Sequence, residues 1–139
     1  MLKIRNLVLS LLKKYHIQLL LTIILGYCIL LIILSSIPGN FAISSNPIDK
    51  ILHFGAYGLL SLPLYFALSL QGKIYLFRKY PDVSTLLLVF TFGLLNELHQ
   101  LFITTRTFNK YDLLANFLGS LLAIIVINIS LKIIRLLKT

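Results

Sequence analysis

Apolar residues gather along this chain into four blocks, and polar and charged residues fall between them. The blocks cover about 17–37, 51–70, 83–103 and 111–131. Each is about 20 residues long, the length an α-helix needs to cross a ~30 Å hydrocarbon layer. The pattern therefore predicts an all-α membrane protein, a bundle of four transmembrane helices forming one domain over residues 1–139. The stops agree: Pro38-Gly39 ends the first block, Gln71-Gly72-Lys73 the second and Lys132 the fourth, while Pro81-Asp82 precedes the third. Pro63 lies inside the second block, where we expect a kink whose freed carbonyl is satisfied by Ser61 or a neighbouring helix. No block alternates with the period of a strand, which argues against a transmembrane β-barrel. The first block is longer than the 7–15-residue core of a signal peptide, and no small-x-small cleavage site follows it, so we read it as a retained helix.

Composition fixes the solvent. Hydrophobic residues make up 58% and charged residues 12% of the chain, about half the charged share of a soluble domain. The net charge of +9 would suit nucleic acid, but a mean hydropathy of +0.94 does not, so no nucleic-acid partner is expected and the bilayer is. A single cysteine, Cys28, excludes an intramolecular disulfide and a multi-cysteine metal site. Cationic residues sort by side once the four spans are drawn. Lys3, Arg5, Lys13, Lys14, Lys73, Arg78, Lys79, Lys132, Arg135 and Lys138 fall on one side, leaving Lys50, Arg106 and Lys110 on the other. The positive-inside rule then places the N and C termini and the middle loop in the cytoplasm. Tyr75, Phe77 and Tyr80 around Arg78 and Lys79 read as an interfacial aromatic belt.

Against that background the polar residues inside the helices need a reason. Asp49, His53 and Tyr57 are spaced i, i+4 and i+8 on the second span, one helix face over about 12 Å of rise. Asp112, Asn116 and Ser120 repeat that spacing on the fourth span, with Gly119 beside them allowing close helix approach. On the third span Glu97 and Gln100 are three apart, and Glu97 sits about 9 Å below Ile103. A lone carboxylate at that depth costs roughly 2.5–3.5 kcal/mol, so Glu97 is expected to be neutralised, paired or turned toward water. Arg106, in the short loop between Glu97 and Asp112, is expected to bridge carboxylates or clamp an anion with its planar fork. The three stripes reach the same depth, and with Lys50 they predict an outward-open polar pocket. His99 points about 100° away from Gln100 and is expected outside it.

At these residues the chain resembles the VanZ-like family of small bacterial membrane proteins. The matching pieces are Ser35-Ser36-x-Pro38, Asp49-Lys50-x-x-His53-x-x-x-Tyr57, Glu97-x-x-Gln100 and Arg106-x-Phe108-x-x-x-Asp112-x-x-x-Asn116-x-x-Gly119. The resemblance implies a multi-pass protein of the bacterial plasma membrane and a link to teicoplanin resistance, an antibiotic that acts outside that membrane. It implies no reaction.

Three functions follow from these residues. The first is a module that binds or modifies a cell-envelope component, with Asp49, Lys50, His53, Tyr57, Glu97, Gln100, Arg106, Asp112 and Asn116 engaging a polar headgroup, cell-wall precursor or glycopeptide. The second is an intramembrane hydrolase or transferase using Glu97 or Asp112 as base, the counter-reading of Glu97 being an ion pair with Arg106 or a bond to Gln100. The third is a small transporter, disfavoured because polar residues thin out beyond mid-membrane. Asp49, His53, Glu97 and Asp112 have the donor types of a Zn²⁺ or Mn²⁺ site but match no metal motif, so no metal and no cofactor are expected. The number of copies is left open.

Overall fold

A computed structural model describes residues 2–37, 47–104 and 106–138, and side chains from residue 11 onward except Lys13. The side chains of Lys3, Arg5 and Lys13, and Pro38 of the Ser-Ser-x-Pro motif, lie outside the described residues. The elements are α1 (Leu2–Ser35), α2 (Pro47–Leu70), a short α3 (Tyr75–Lys79), α4 (Pro81–Gln100) and α5 (Lys110–Leu136). Four of the five are long and apolar enough to cross a membrane.

Helix ends follow local chemistry more than hydropathy. α2 begins at Pro47, ahead of its apolar run, because proline suits the first turn and Asp49 faces the positive end of the helix dipole. It stops where the Gln71 carboxamide takes over the backbone, accepting from the amides of Lys73 and Ile74 at 2.9 and 2.8 Å. α4 ends at Gln100, short of the apolar run, and tightens into three-residue turns through Ile103. α5 begins after Asn109, whose side chain accepts from the Tyr111 amide at 3.0 Å as an N-cap. α1 is 34 residues long, about 51 Å, so it extends well beyond a ~30 Å hydrocarbon layer.

α2 is the central helix and packs on α1, α4 and α5. Its tightest seam is with α5, which runs in the same direction. A methyl group added at Gly119 would run into the Phe54 carbonyl, and one at Gly58 would meet the Gly119 carbonyl oxygen at 3.1 Å. Two apolar clusters hold the rest: Leu31, Tyr57, Leu60 and Val89 near the polar end, and Tyr65, Ile124 and Ile127 toward the other.

The distribution of polarity is that of a chain solvated by lipid. Ser61, Thr85, Glu97 and Asn116 are completely buried, whereas Leu25, Ile51 and Leu87 are more than 60% exposed. Polar groups turned inward need partners, and most have them. Ser61 does not serve the Leu59 carbonyl that Pro63 leaves without a donor. Its hydroxyl bonds the Tyr57 carbonyl and the Ser120 hydroxyl, each at 2.8 Å, because α5 lies on that face of α2. Ser61→Ala is expected to lower stability by about 0.6 kcal/mol, the average for interhelical hydrogen bonds in membranes, read as a small shift in the SDS unfolding midpoint. At the opposite end Asn128 donates to Asp82 at 2.8 Å, and the Lys79 ammonium lies 5.5 and 5.1 Å from the Tyr75 and Tyr80 rings.

Candidate functional site at the polar end of the bundle

The seam between α2 and α5 carries two layers of paired side chains. In the upper layer the Lys50 ammonium lies 2.9 Å from Asp112 Oδ1 and 3.4 Å from Asp49 Oδ2. One turn deeper, His53 Nδ1 and Asn116 Oδ1 are 2.9 Å apart, and His53 Nε2 faces Asp49 Oδ1 at 4.0 Å. With a proton on Nδ1, the ring donates to the Asn116 carbonyl and keeps its Nε2 lone pair toward the carboxylates. Asp49, His53 and Asp112 bring donor atoms within 4.8 Å of one another, a spacing a divalent cation would close with small rotations. Lys50 already places one positive charge between the same two carboxylates.

The sequence expectation that Arg106 bridges the carboxylates is corrected here. Lys50 occupies that position because it lies on the α2–α5 seam, whereas Arg106 follows α4 and reaches the other side of the bundle. There its Nε donates to the Ile37 carbonyl at 3.2 Å, where α1 ends. Glu97 therefore does not pair with Arg106. It is fully buried, accepting from Gln100 Nε2 at 3.4 Å and from the Asn109 backbone amide at 3.1 Å. Through Oε2 the carboxylate thus ties Asn109, the N-cap of α5, back onto α4, while Oε1 is held by Gln100 of the same helix.

Between α1, α2 and α4 lies a cavity of about 340 Å³. Asp49, His53, Tyr57, Gln100 and Arg106 line it, while Lys50, Glu97, Asp112 and Asn116 are not among its lining residues and stand behind it as support. His99 does not line it either. The opposite wall is apolar and belongs to α1, through Tyr27, Leu30, Leu31 and Leu34. Sequence reasoning passed over Asn96, which also lines the cavity. Its amide donates to the Tyr57 hydroxyl at 3.2 Å, and its carbonyl accepts from Ser35 Oγ at 2.8 Å, joining α4, α2 and α1. The signal was present: Asn96 is four residues before Gln100, hence on the same helix face.

The VanZ/LLP1 family profile matches residues 6–132, nearly the whole chain. The chain belongs to the VanZ/LLP1 family. The relatives of this VanZ/LLP1 protein include uncharacterized protein C11E3.10 of Schizosaccharomyces pombe, 36% identical over 104 residues. That alignment covers 73% of the chain and 60% of the yeast protein, so the chain spans about three fifths of that relative's length. No solved structure matches the chain. The pieces that carried the VanZ resemblance therefore include both the paired layers on the α2–α5 seam and the polar wall of the cavity.

Proposed function

We propose that this VanZ/LLP1 protein sits in a bacterial plasma membrane with its polar end facing outward, and that its cavity binds a cell-envelope amphiphile or glycopeptide by the polar part of that molecule. The orientation rests on the Lys and Arg asymmetry, and the family's link to teicoplanin resistance agrees with a ligand met on the outer side. The single observation that carries the reading is the two-sided lining: hydrogen-bonding groups on α2 and α4 face an apolar wall on α1 across one cavity. A site for a water-soluble solute needs no such wall, and a path for transport would have to pass the apolar cluster of Tyr65, Ile124 and Ile127. A hydrolytic role would fall to Asp49, the lone carboxylate of the lining, which Lys50 already pairs.

Filling the cavity tests this. Ala56 lines it and Leu59, 59% exposed, faces away. Native mass spectrometry of the purified wild-type protein is expected to show a co-purifying amphiphile that Ala56→Trp loses and Leu59→Trp keeps. In a teicoplanin-susceptible host, any tolerance given by the wild type should vanish with Ala56→Trp at unchanged membrane levels. Retention of the amphiphile by Ala56→Trp would remove the basis for the reading.

A further inference from the structure

The cavity carries one charge that the protein does not answer. The chain has four acidic residues, all of them described. Asp49 and Asp112 share Lys50, Glu97 is held by Gln100 and the Asn109 amide, and Asp82 lies at the far end with Asn128. None forms an ion pair with Arg106. The guanidinium has five N–H donors, and among the described residues one of them, on Nε, is engaged, by the Ile37 carbonyl. Arg106 lines the cavity and presents to it a cation with which no acidic side chain of the chain pairs. Asp49, the lone carboxylate of the lining, turns to Lys50, which it shares with Asp112, and not to Arg106.

The other wall states what the anion is attached to. Leu30, Leu34 and Leu52 line the cavity and are yet 46%, 49% and 58% exposed, so the apolar lining runs on without a break to the surface that lipid covers. α1 leans on the bundle lightly: among its described residues only Leu31 and Ser35 are buried. Among the described residues its side-chain bonds to the other helices are Tyr27 to the Ala56 carbonyl at 3.2 Å and Ser35 to Asn96 at 2.8 Å. A hydrocarbon chain lying along Leu30 and Leu34 would bring its head to Arg106, which sits beside the α1 terminus.

We propose that the ligand is a membrane lipid bearing a phosphate, with Arg106 clasping phosphoryl oxygens and the acyl chain running along the α1 wall. The inference rests on the amphiphile reading above and names its chemical class. A planar fork suits two oxygens of a tetrahedral anion, and charge-assisted bonds of this kind are about twice as strong as neutral ones. A relative in a yeast, at 36% identity, favours a ligand that bacterial and eukaryotic membranes share over one confined to a bacterial wall.

The test uses the full chain in neutral detergent, titrated by native mass spectrometry with dioctanoylphosphatidylglycerol, with dioctanoylglycerol of the same tails but no phosphate, and with inorganic phosphate. The wild type is expected to bind the phospholipid about tenfold or more tighter than the diacylglycerol, and Arg106→Gln to lose most of that preference while Arg106→Lys keeps part of it. Inorganic phosphate alone should bind weakly, since it has nothing to lay on α1. Equal affinity of the wild type for phospholipid and diacylglycerol overturns the phosphate assignment without any variant, even if Arg106→Gln fails to fold. Tight binding of inorganic phosphate overturns it in favour of a soluble anion. Undiminished binding of both lipids by Ala56→Trp would instead sink the cavity reading itself, so the two failures are distinguishable.

Discussion

Gly119→Leu is expected to abolish the folded bundle, and Gly119→Ala alone to destabilise it by about 1–3 kcal/mol, the usual cost of overpacking a tight core. The reason is that the obstacle is main chain. The added carbon would meet the carbonyl group and Cα of Phe54, which have no rotamer to change, so α2 and α5 would have to part. Parting them loosens everything that crosses their seam: the Lys50–Asp112 contact, the His53–Asn116 bond and the Ser61–Ser120 pair. Each interhelical hydrogen bond adds about 0.6 kcal/mol to the loss. Gly55→Ala is the control, since Gly55 lies on α2, beside Phe54, with nothing within 4 Å of the new methyl. Thermal melting in detergent should therefore separate the two alanine variants, with Gly55→Ala close to wild type. Coincident melting curves would mean that the α2–α5 seam has slack that the backbone positions do not show.

The same seam explains why so much of the site could be read from the sequence. Two stripes at i, i+4 and i+8 on helices that run in one direction will meet rung by rung if a glycine lets the backbones touch, and Asp49/Asp112 and His53/Asn116 do so. The four spans were legible for a related reason, because in lipid the hydrophobic surface is the outside of the helix and hydropathy averages detect it directly. What the sequence hid was which cation serves which anion. Linear proximity put Arg106 between Glu97 and Asp112, but past the turn after Gln100 the Arg106 side chain reaches the Ile37 carbonyl at the end of α1. Nor does a hydropathy profile show that α1 contributes an apolar wall to a polar recess. That depends on α1 ending beside α2 and α4, where Ser35 meets Asn96.

A second large effect follows from Lys50. Lys50→Met is expected to destabilise the protein by about 2–4 kcal/mol. Removing one member of a buried ion pair costs about 3–5 kcal/mol because a charge is left without a partner. The lower figure reflects the Lys50 side chain, which keeps 27% of its surface exposed, against 13% for Asp49 and 6% for Asp112. The loss has a specific signature. Without the ammonium, two carboxylates on the α2–α5 seam face each other, so relieving one of them should restore stability. The double variant Lys50→Met with Asp112→Asn is expected to melt closer to the wild type than Lys50→Met alone, giving a coupling free energy in a double-mutant cycle of detergent unfolding. Additive behaviour would mean that Lys50 and Asp112 do not interact despite their 2.9 Å separation. The cycle also weighs the metal geometry at the same residues. If Mn²⁺ raises the melting temperature of Lys50→Met but not of the wild type, the ammonium and the divalent ion compete for one place between Asp49, His53 and Asp112. If Mn²⁺ affects neither, Asp49 and Asp112 serve to hold α2 against α5 through Lys50, and the cavity that Asp49 and His53 line keeps its shape by that ion pair.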